Sequence, residues 1–158
     1  MTAFPEPAHA NHFLKEHALL LLSNLKRWTG RDIVGAILPL EQQAQELFHA
    51  PFVIASHDAS ADPILNYGNR AALELWEATW ADFVAMPSRR TAEIINQAER
   101  RRLLDEVTSN GFIDNYQGIR ISTTGRRFMI KQATVWNLVN DVGSHCGQAV
   151  MFHHWDFV

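Results

Sequence analysis

Residues 62–76 constrain the fold of this chain more than any other stretch, because a turn, a short strand and a helix start follow one another there. Asp62-Pro63 favours a turn, and the apolar and aromatic residues after it favour an extended strand that closes at Asn66. The side chain of Asn69 can cap the backbone amides of a helix that reaches Trp76. This order predicts a β-hairpin that leads directly into a helix.

Hydrophobic periodicity and breaker residues divide the rest of the chain into helices and strands. The first predicted helix covers residues 11–28 and stops at Gly30. A second helical segment is capped by Asp32 and interrupted by Pro39. Further helices are predicted over residues 69–80, 80–86 and 98–109, and the last two of these stop at Pro87 and Gly111. The predicted strands cover residues 52–56, 64–66, 116–123, 127–138 and 145–155. Short turns join the last three strands, which predicts a meander.

Short motifs in the second half of the chain follow a recognisable order. They are Gly111-Phe112-Ile113-Asp114, Gly118-Ile119-Arg120-Ile121-Ser122, Gly125-Arg126-Arg127-Phe128, Gln132-Ala133-Thr134-Val135-Trp136-Asn137-Leu138, Gly147-Gln148-Ala149 and His154-Trp155. Together they resemble the MEKHLA domain, and the resemblance covers residues 12–155. This PAS-like family occurs as stand-alone bacterial proteins and as the C-terminal region of plant class III homeodomain leucine-zipper regulators.

The resemblance implies an α+β, PAS-like fold, with a five-stranded antiparallel sheet, short helices on one face and additional N-terminal helices. It implies a sensory or regulatory role and names neither a ligand nor a reaction. A chain of 158 residues, 47% of them hydrophobic, fits a single domain. We expect a flexible N-terminal arm over residues 1–11, a helical segment over residues 12–50 and the PAS-like core over residues 51–158.

Composition argues against several partners. No apolar run approaches the roughly 20 residues that span a bilayer, and the N-terminus lacks the basic and hydrophobic regions of an export signal. We therefore expect a cytoplasmic protein without a membrane partner. The formal charge of -3 argues against nucleic-acid binding, which depends on phosphate neutralisation. The single cysteine, Cys146, excludes an internal disulfide framework.

The resemblance also implies that a ligand would lie between the sheet and the short helices. Side chains alternate between the two faces of a strand. On strand 127–138 we predict that the face with Phe128, Ile130, Gln132, Thr134 and Trp136 points inward, because the other face would bury Lys131 without a partner. On strand 145–155 the pattern leaves the inward face open.

The candidate ligand-binding residues are Asn66, Trp76, Arg120, Gln132, Thr134, Trp136, Gln148 and Phe152. An amide both donates and accepts hydrogen bonds, so Gln132 and Gln148 are predicted to lie within one side-chain length of each other and to read a polar ligand. The alternative is that they satisfy each other or nearby backbone. Arg120 suits a carboxylate or phosphate, or it is a surface residue paired with Asp114 or a helix carboxylate. Trp76 and Trp136 either wall a flat ligand or belong to the core.

Cofactor and catalytic residues are harder to find. No cysteine precedes His145, so the Asn-Cys-Arg motif of flavin-adduct PAS domains is missing, and no histidine lies between His57 and His145 to bind haem in the usual region. Any cofactor is therefore unknown, with flavin adduct and haem disfavoured. Neither His57-Asp58 nor His153-His154 forms an acid-base pair with itself, because adjacent strand residues point to opposite faces. We predict no catalytic residue, no metal site and no enzyme.

These observations favour a sensory module that binds a small organic ligand and signals through an unidentified protein partner or a dimer. The alternatives are a ligand-free dimerisation or interaction module, and a small hydrolase or isomerase. The apolar N-terminal helix predicts a homodimer in which Leu14, Leu21, Leu25 or Trp28 contacts the partner. In the rival arrangement this helix folds back over its own sheet in a monomer.

Overall fold

The strands of this chain form one antiparallel sheet, with helices on both of its faces. In the computed structural model, which describes residues 4–158, the strands are β1 (Val53–Asp58), β2 (Leu65–Gly68), β3 (Phe112–Ile121), β4 (Arg127–Val139), β5 (His145–Phe152) and β6 (His154–Phe157). They pair in the order β2-β1-β5-β4-β3, and β6 pairs with the first half of β4. The predicted five-stranded antiparallel sheet is confirmed, and the last predicted strand is divided at His153.

Five helices complete the described part of the chain, residues 4–158. They are α1 (Lys15–Thr29), α2 (Leu40–His49), α3 (Arg70–Trp76), α4 (Trp80–Phe83) and α5 (Ile94–Asn110), with 3-10 turns at His9–Leu14 and Ser88–Thr91. Both predicted glycine stops are confirmed: Gly30 (φ +75°) and Gly111 (φ +93°) follow α1 and α5 in positive-φ conformations. Within residues 4–158, no helix is long and apolar enough to cross a membrane.

Several helix boundaries differ from the prediction, among them the start of α5 at Ile94 instead of residue 98. The helix predicted over residues 69–80 ends at Trp76, because Glu77 takes a left-handed conformation with φ +56°. A new helix, α4, then begins after Thr79, whose hydroxyl accepts a hydrogen bond from the amide of Asp82. The segment after Asp32 is not helical, and α2 begins only after Pro39.

The side chain of Asn69 joins three elements and is fully buried. Its Oδ1 caps α3 by accepting from the amide of Ala72 (3.1 Å) and also accepts from the amide of Ile54 on β1 (3.2 Å). Its Nδ2 donates to the carbonyl oxygens of Leu47 on α2 (3.1 Å) and Phe52 (2.7 Å). The predicted cap is confirmed, and the same amide also holds α2 and β1 in place.

Helix α1 lies across the face of its own sheet. Leu21 and Leu25 are fully buried within the chain. The indole of Trp136 on β4 donates to the carbonyl of Leu21 (3.2 Å), and Trp28 donates to a β4 carbonyl. The prediction that Leu14, Leu21 and Leu25 contact a partner is therefore wrong, because these side chains are buried inside one chain. The rival arrangement, a helix folded over its own sheet, is the one observed. Homodimerisation itself stays a prediction.

Gln132 interrupts β4 with a left-handed backbone, φ +51°. The β3–β4 register moves from Gly118↔Ile130 to Tyr116↔Ala133, so two residues of β4 oppose one of β3. This is a β-bulge, and it reverses the alternation of side chains beyond it.

The bulge explains why the predicted inward face is only half right. Phe128 and Ile130 point toward the helices as predicted, but beyond the bulge that side is occupied by Val135, which lines the space under α5. Gln132 is exposed. The prediction that Gln132, Thr134 and Trp136 face inward is therefore wrong.

Strand β3 forms one edge of the sheet and has an irregular path. Its register against β4 shifts between Ile113 and Tyr116 and again between Tyr116 and Gly118. Asn115, which lies between Ile113 and Tyr116, has a positive φ of +55°. Isolated residues in this conformation disturb the regular spacing of backbone hydrogen bonds along a strand.

The described part of the N-terminal arm contacts the core. The carbonyl of Phe4 accepts a hydrogen bond from the indole of Trp80 at 2.7 Å. Residues 1–3 of the predicted arm lie outside the described residues. The flexibility of the arm and the boundaries at residues 12–50 and 51–158 stay predictions.

Replacing Asn69 by Ala is expected to lower the free energy of unfolding by about 3 kcal/mol or more. The change removes a helix cap, worth about 1 kcal/mol, and leaves buried backbone groups unpaired at about 1–3 kcal/mol each. Urea unfolding measures the loss. The control is Asn96→Ala, at a half-exposed position in α5, where about 0.5 kcal/mol or less is expected. Equal losses in both variants would contradict the tethering role.

Replacing Gln132 by Gly is expected to leave the free energy of unfolding unchanged or to raise it by up to about 1 kcal/mol, because glycine adopts positive φ without steric cost. The neighbouring change Lys131→Gly is expected to lower it by about 1 kcal/mol, since glycine weakens a regular strand. Chemical unfolding of both variants compares the two positions. A loss at residue 132 as large as that at residue 131 would rule out the bulge.

Candidate functional site

A cavity lies between the sheet and helices α3–α5. Its volume is about 70 Å³, and a water molecule needs roughly 10–15 Å³ of such space, so it has room for several waters or a small organic molecule. Its apolar wall includes Leu65, Trp76, Phe83, Ile130, Val135 and Phe152. Its polar lining residues include His57, Ser88, Arg100, Tyr116, Arg120 and Gln148.

Two arginines line the cavity. Arg100 on α5 is 9% exposed and Arg120 on β3 is 6% exposed. Within residues 4–158, neither guanidinium forms an ion pair with a carboxylate. A buried charge without a counter-charge is costly, so two of them at one cavity need an explanation.

The partners of these guanidinium groups are neutral. Arg100 donates from Nη2 to the hydroxyl of Ser88. Arg120 donates to the carbonyl of Ile119 (2.9 Å) and to the hydroxyl of Tyr116 (3.1 Å). Burial, together with the charge of Arg120, lowers the pKa of Arg100 to about 10, which still leaves it charged at neutral pH.

One acidic group, Glu99, reaches Arg120 through Tyr116. The hydroxyl of Tyr116 donates to the carboxylate of Glu99 (2.9 Å to Oε2) while it accepts from Arg120. Burial raises the pKa of this tyrosine, so the hydroxyl keeps its proton. Glu99 is exposed, and its charge therefore compensates Arg120 only weakly.

His57 on β1 contributes a buried acceptor. Its Nδ1 lies 2.9 Å from the carbonyl of Asp58, and because a carbonyl only accepts, Nδ1 carries the proton. Nε2 is then an unprotonated acceptor, and it is buried without a partner in the described part of the chain. Burial lowers the pKa of His57 to about 4, and the charge of Arg100 acts in the same direction. The indole N–H of Trp76 is likewise buried without a partner.

Gln148 anchors α5 to the sheet. Its Nε2 lies 3.1 Å from the carbonyl of Leu104, the hydroxyl of Thr108 and Oδ1 of Asn137. Asn137 in turn donates to the carbonyl of Val107 at 2.8 Å. The predicted partnership of Gln132 with Gln148 is wrong, because Gln148 pairs with Asn137. The alternative interpretation, that this amide satisfies nearby backbone, fits its observed contacts.

A second polar cluster lies on the opposite face of the sheet, under α1. The hydroxyl of Ser56 donates to Oδ1 of Asn66 (2.6 Å) and lies 3.0 Å from Nε2 of His17. Because the hydroxyl proton is directed to Asn66, His17 donates to Ser56 and is not placed to remove that proton. Burial lowers the pKa of His17 to about 4. The cluster therefore fixes α1 to the sheet and lacks the geometry of an activated nucleophile.

Comparison with known proteins identifies the family. The sequence profile of the MEKHLA domain matches residues 15–157. This chain belongs to the MEKHLA domain family. Among its relatives are two homeobox-leucine zipper proteins of Arabidopsis thaliana. ATHB-9 is 30% identical over 102 residues, which cover 63% of this chain and 12% of that protein. ATHB-14 is 26% identical over 139 residues, which cover 82% of this chain and 16% of that protein.

This MEKHLA domain therefore matches less than one fifth of the length of those relatives. Solved structures show its fold to be PAS-like. A PAS domain from Colwellia psychrerythraea has a TM-score of 0.63 at 12% identity, covering 75% of this chain and 96% of that one. An RNA-binding light-oxygen-voltage receptor has a TM-score of 0.63 at 15% identity, covering 77% of this chain and 35% of that one.

Four of the eight candidate residues line the cavity of this MEKHLA domain: Trp76, Arg120, Gln148 and Phe152. Because Gln148 and Phe152 line the cavity, the face of β5 that carries them is the inward one. Arg120 is not paired with Asp114, whose carboxylate binds Arg31 at 3.1 Å. Ligand binding by these four residues stays a prediction.

The other four candidates lie elsewhere. Asn66 belongs to the cluster under α1. Gln132 is exposed at the bulge. Thr134 donates to Asp114 (2.6 Å), and Trp136 packs under α1. Their predicted positions at the cavity are wrong because the bulge reverses β4 and because Asn66 shares the face of Ser56.

Sequence reasoning missed Arg100, His57 and Ser88. Arg100 belongs to a run of three arginines that alternates with carboxylates, a pattern typical of a solvated face. A signal was nevertheless present, because Arg100, Leu103 and Val107 fall on one face of a helix, and all three are buried. The position of His57 follows from the pairing of β1 with β5, in which His57 opposes Gln148.

Acidification is expected to destabilise the protein between about pH 6.5 and pH 4. His17 and His57 are buried and neutral, with pKa values lowered from 6.5 to about 4. The unfolded chain therefore binds more protons, so stability is complete above the unfolded pKa and falls as the pH drops. The loss approaches about 3 kcal/mol for each histidine.

Urea unfolding at pH 7 and pH 5 measures this effect. The titratable groups that act on His57 are Arg100, Asp58 and His145. Arg100, with a pKa of about 10, and Asp58, whose pKa is lowered by hydrogen bonds from Ser60 and Ile64, keep their charges in this window. Replacing His17 and His57 by Gln should flatten the dependence, whereas replacing the exposed His154 should not. An unchanged slope in the double variant would contradict the assignment.

Proposed function

We propose that this MEKHLA domain is a sensory module that binds a small organic ligand in the cavity between the sheet and helices α3–α5. The observation that carries the proposal is the set of buried polar groups at the cavity that lack a matching partner. Nε2 of His57 and Nε1 of Trp76 have none within residues 4–158, and the charges of Arg100 and Arg120 have no carboxylate. A cavity with a few convergent polar groups and an apolar wall is the usual form of a ligand site.

The proposed output begins at α5 and the 3-10 turn Ser88–Thr91. Arg100 connects the two through Ser88, so a ligand that competes for this guanidinium changes their contact. At the start of α5 the side chains of Ile94 and Ile95 are exposed, which supports contact with a protein partner or a second copy. The similarity to homeobox-leucine zipper proteins supports a regulatory context.

The proposal includes no flavin adduct. Light-oxygen-voltage proteins share the fold, but Cys146, the single cysteine of the sequence, contacts the carbonyl of Leu138 and is not among the residues lining the cavity. Haem, catalysis and metal binding are also left out. A cytoplasmic location stays part of the proposal.

Native mass spectrometry of the protein purified from its own host tests ligand binding. We expect a mass above the 18.0 kDa chain that returns to the chain mass on denaturation. Replacing Ala55, which lines the cavity opposite Val150, by Leu fills the space and should remove the added mass. Circular dichroism verifies that the variant folds.

The matched control is Ala98→Leu, at an exposed position of α5, which should retain the ligand. A wild-type protein of bare chain mass that gains stability when Ala55 becomes Leu would refute the sensory proposal. That result would favour the ligand-free interaction module, whose oligomeric state the same spectra report.

A further inference from the structure

We infer that the ligand is a small organic oxyanion, with its carboxylate or phosphate group held between Arg100 and Arg120. This inference rests on the cavity being a ligand site, as proposed above, and adds the chemical class of the ligand. It follows from three properties of the cavity: uncompensated positive charge, one free acceptor and a small, largely apolar space.

Positive charge is the first property. Arg100 and Arg120 are both more than nine-tenths buried, and their partners in the described chain are two hydroxyls and a carbonyl. The acidic groups nearby are used elsewhere, because Asp62 pairs with Arg89 and Glu99 binds Tyr116. A guanidinium presents parallel N–H donors that match an oxyanion. An anion at this point would supply the missing counter-charge.

The free acceptor is the second property. Nε2 of His57 is unprotonated because Nδ1–H donates to the carbonyl of Asp58. A hydroxyl or an amine on the ligand would donate to this Nε2, whereas a second anionic group would be repelled by it. A ligand with one oxyanion and one donor group satisfies both the charge of the two guanidinium groups and this free acceptor.

The third property is size. The cavity has room for several water molecules. Trp76, Phe83 and Phe152 line it, so it fits a ligand with a short or flat apolar part. Nucleotides and lipids are too large for it. Short hydroxy acids and small aromatic acids have the required chemistry.

Thermal shift and calorimetric titration of the full chain test the inference with defined probes. The panel contains propionate, lactate, benzoate, 4-hydroxybenzoate, inorganic phosphate and the neutral amide benzamide. We expect at least one oxyanion to bind and to raise the melting temperature, benzamide to bind at least about tenfold more weakly than benzoate, and hydroxy acids to bind better than their unsubstituted partners. Binding of phosphate in preference to the acids would support the oxyanion site and assign its group.

Variants connect binding to the two arginines. Arg100→Gln and Arg120→Gln should each weaken the bound oxyanion about ten- to a hundredfold, the usual range for a lost charge-assisted hydrogen bond. Arg101→Gln, one residue away and exposed, should bind as the wild type does. Without ligand, Arg100→Gln should melt no lower than the wild type, because the change removes a buried unpaired charge. If Arg100 had only a structural role, Arg100→Gln would lower the melting temperature of the ligand-free protein and leave oxyanion binding unchanged.

The outcomes separate this inference from the proposed function. Equal binding of benzoate and benzamide, no response to any oxyanion in the panel, or a neutral molecule retained in native mass spectra would overturn the oxyanion and leave a sensory module with a neutral ligand. Equal binding of hydroxy and unsubstituted acids would overturn the role given to His57. The proposed function itself fails only if the wild-type protein has the bare chain mass in native spectra and Ala55→Leu raises its stability.

Discussion

The buried amide of Asn69 is the interaction on which the rest of this fold depends. It makes four hydrogen bonds, to the end of α2, to two backbone groups at the start of β1, and to the first turn of α3. These bonds fix where the hairpin ends and the direction in which α3 leaves it. The position of α3 in turn places Trp76 over the sheet, and Trp76 forms one wall of the cavity. A single amide thus links the sheet to the site.

Much of this architecture can be predicted from the sequence, because it depends on local rules. The cap at Asn69, the glycine ends of α1 and α5, and the positions of the strands along the chain follow from short-range patterns, whereas the PAS-like sheet is implied by the family resemblance. The faces of β4 could not be predicted, because glutamine carries no signal for positive φ. One inserted residue at Gln132 reverses every side chain beyond it. Arg100 was hidden for a different reason, since its burial depends on tertiary contacts with Ser88 and β3.

The polar groups at the cavity lower the stability of the fold. A core filled with aliphatic side chains at the positions of Arg100, Arg120 and His57 would avoid the desolvation of two charges and an unpaired acceptor. The chain retains these groups and stabilises their surroundings instead. Gln148 and Asn137 hold the C-terminal half of α5 against the sheet, and α1 covers the opposite face. Polar groups that cost stability at one point are characteristic of functional sites.

The irregular path of β3 has a consequence for the behaviour of the protein at high concentration. An edge strand offers a row of backbone N–H and C=O groups on which a strand from another molecule can add, and long regular edges therefore promote aggregation. In β3 the left-handed Asn115 and two shifts of register break that row into short pieces. A second chain cannot form a continuous ladder on such an edge. The distortions that bend β3 thus protect a ten-residue strand from fibril-like self-assembly.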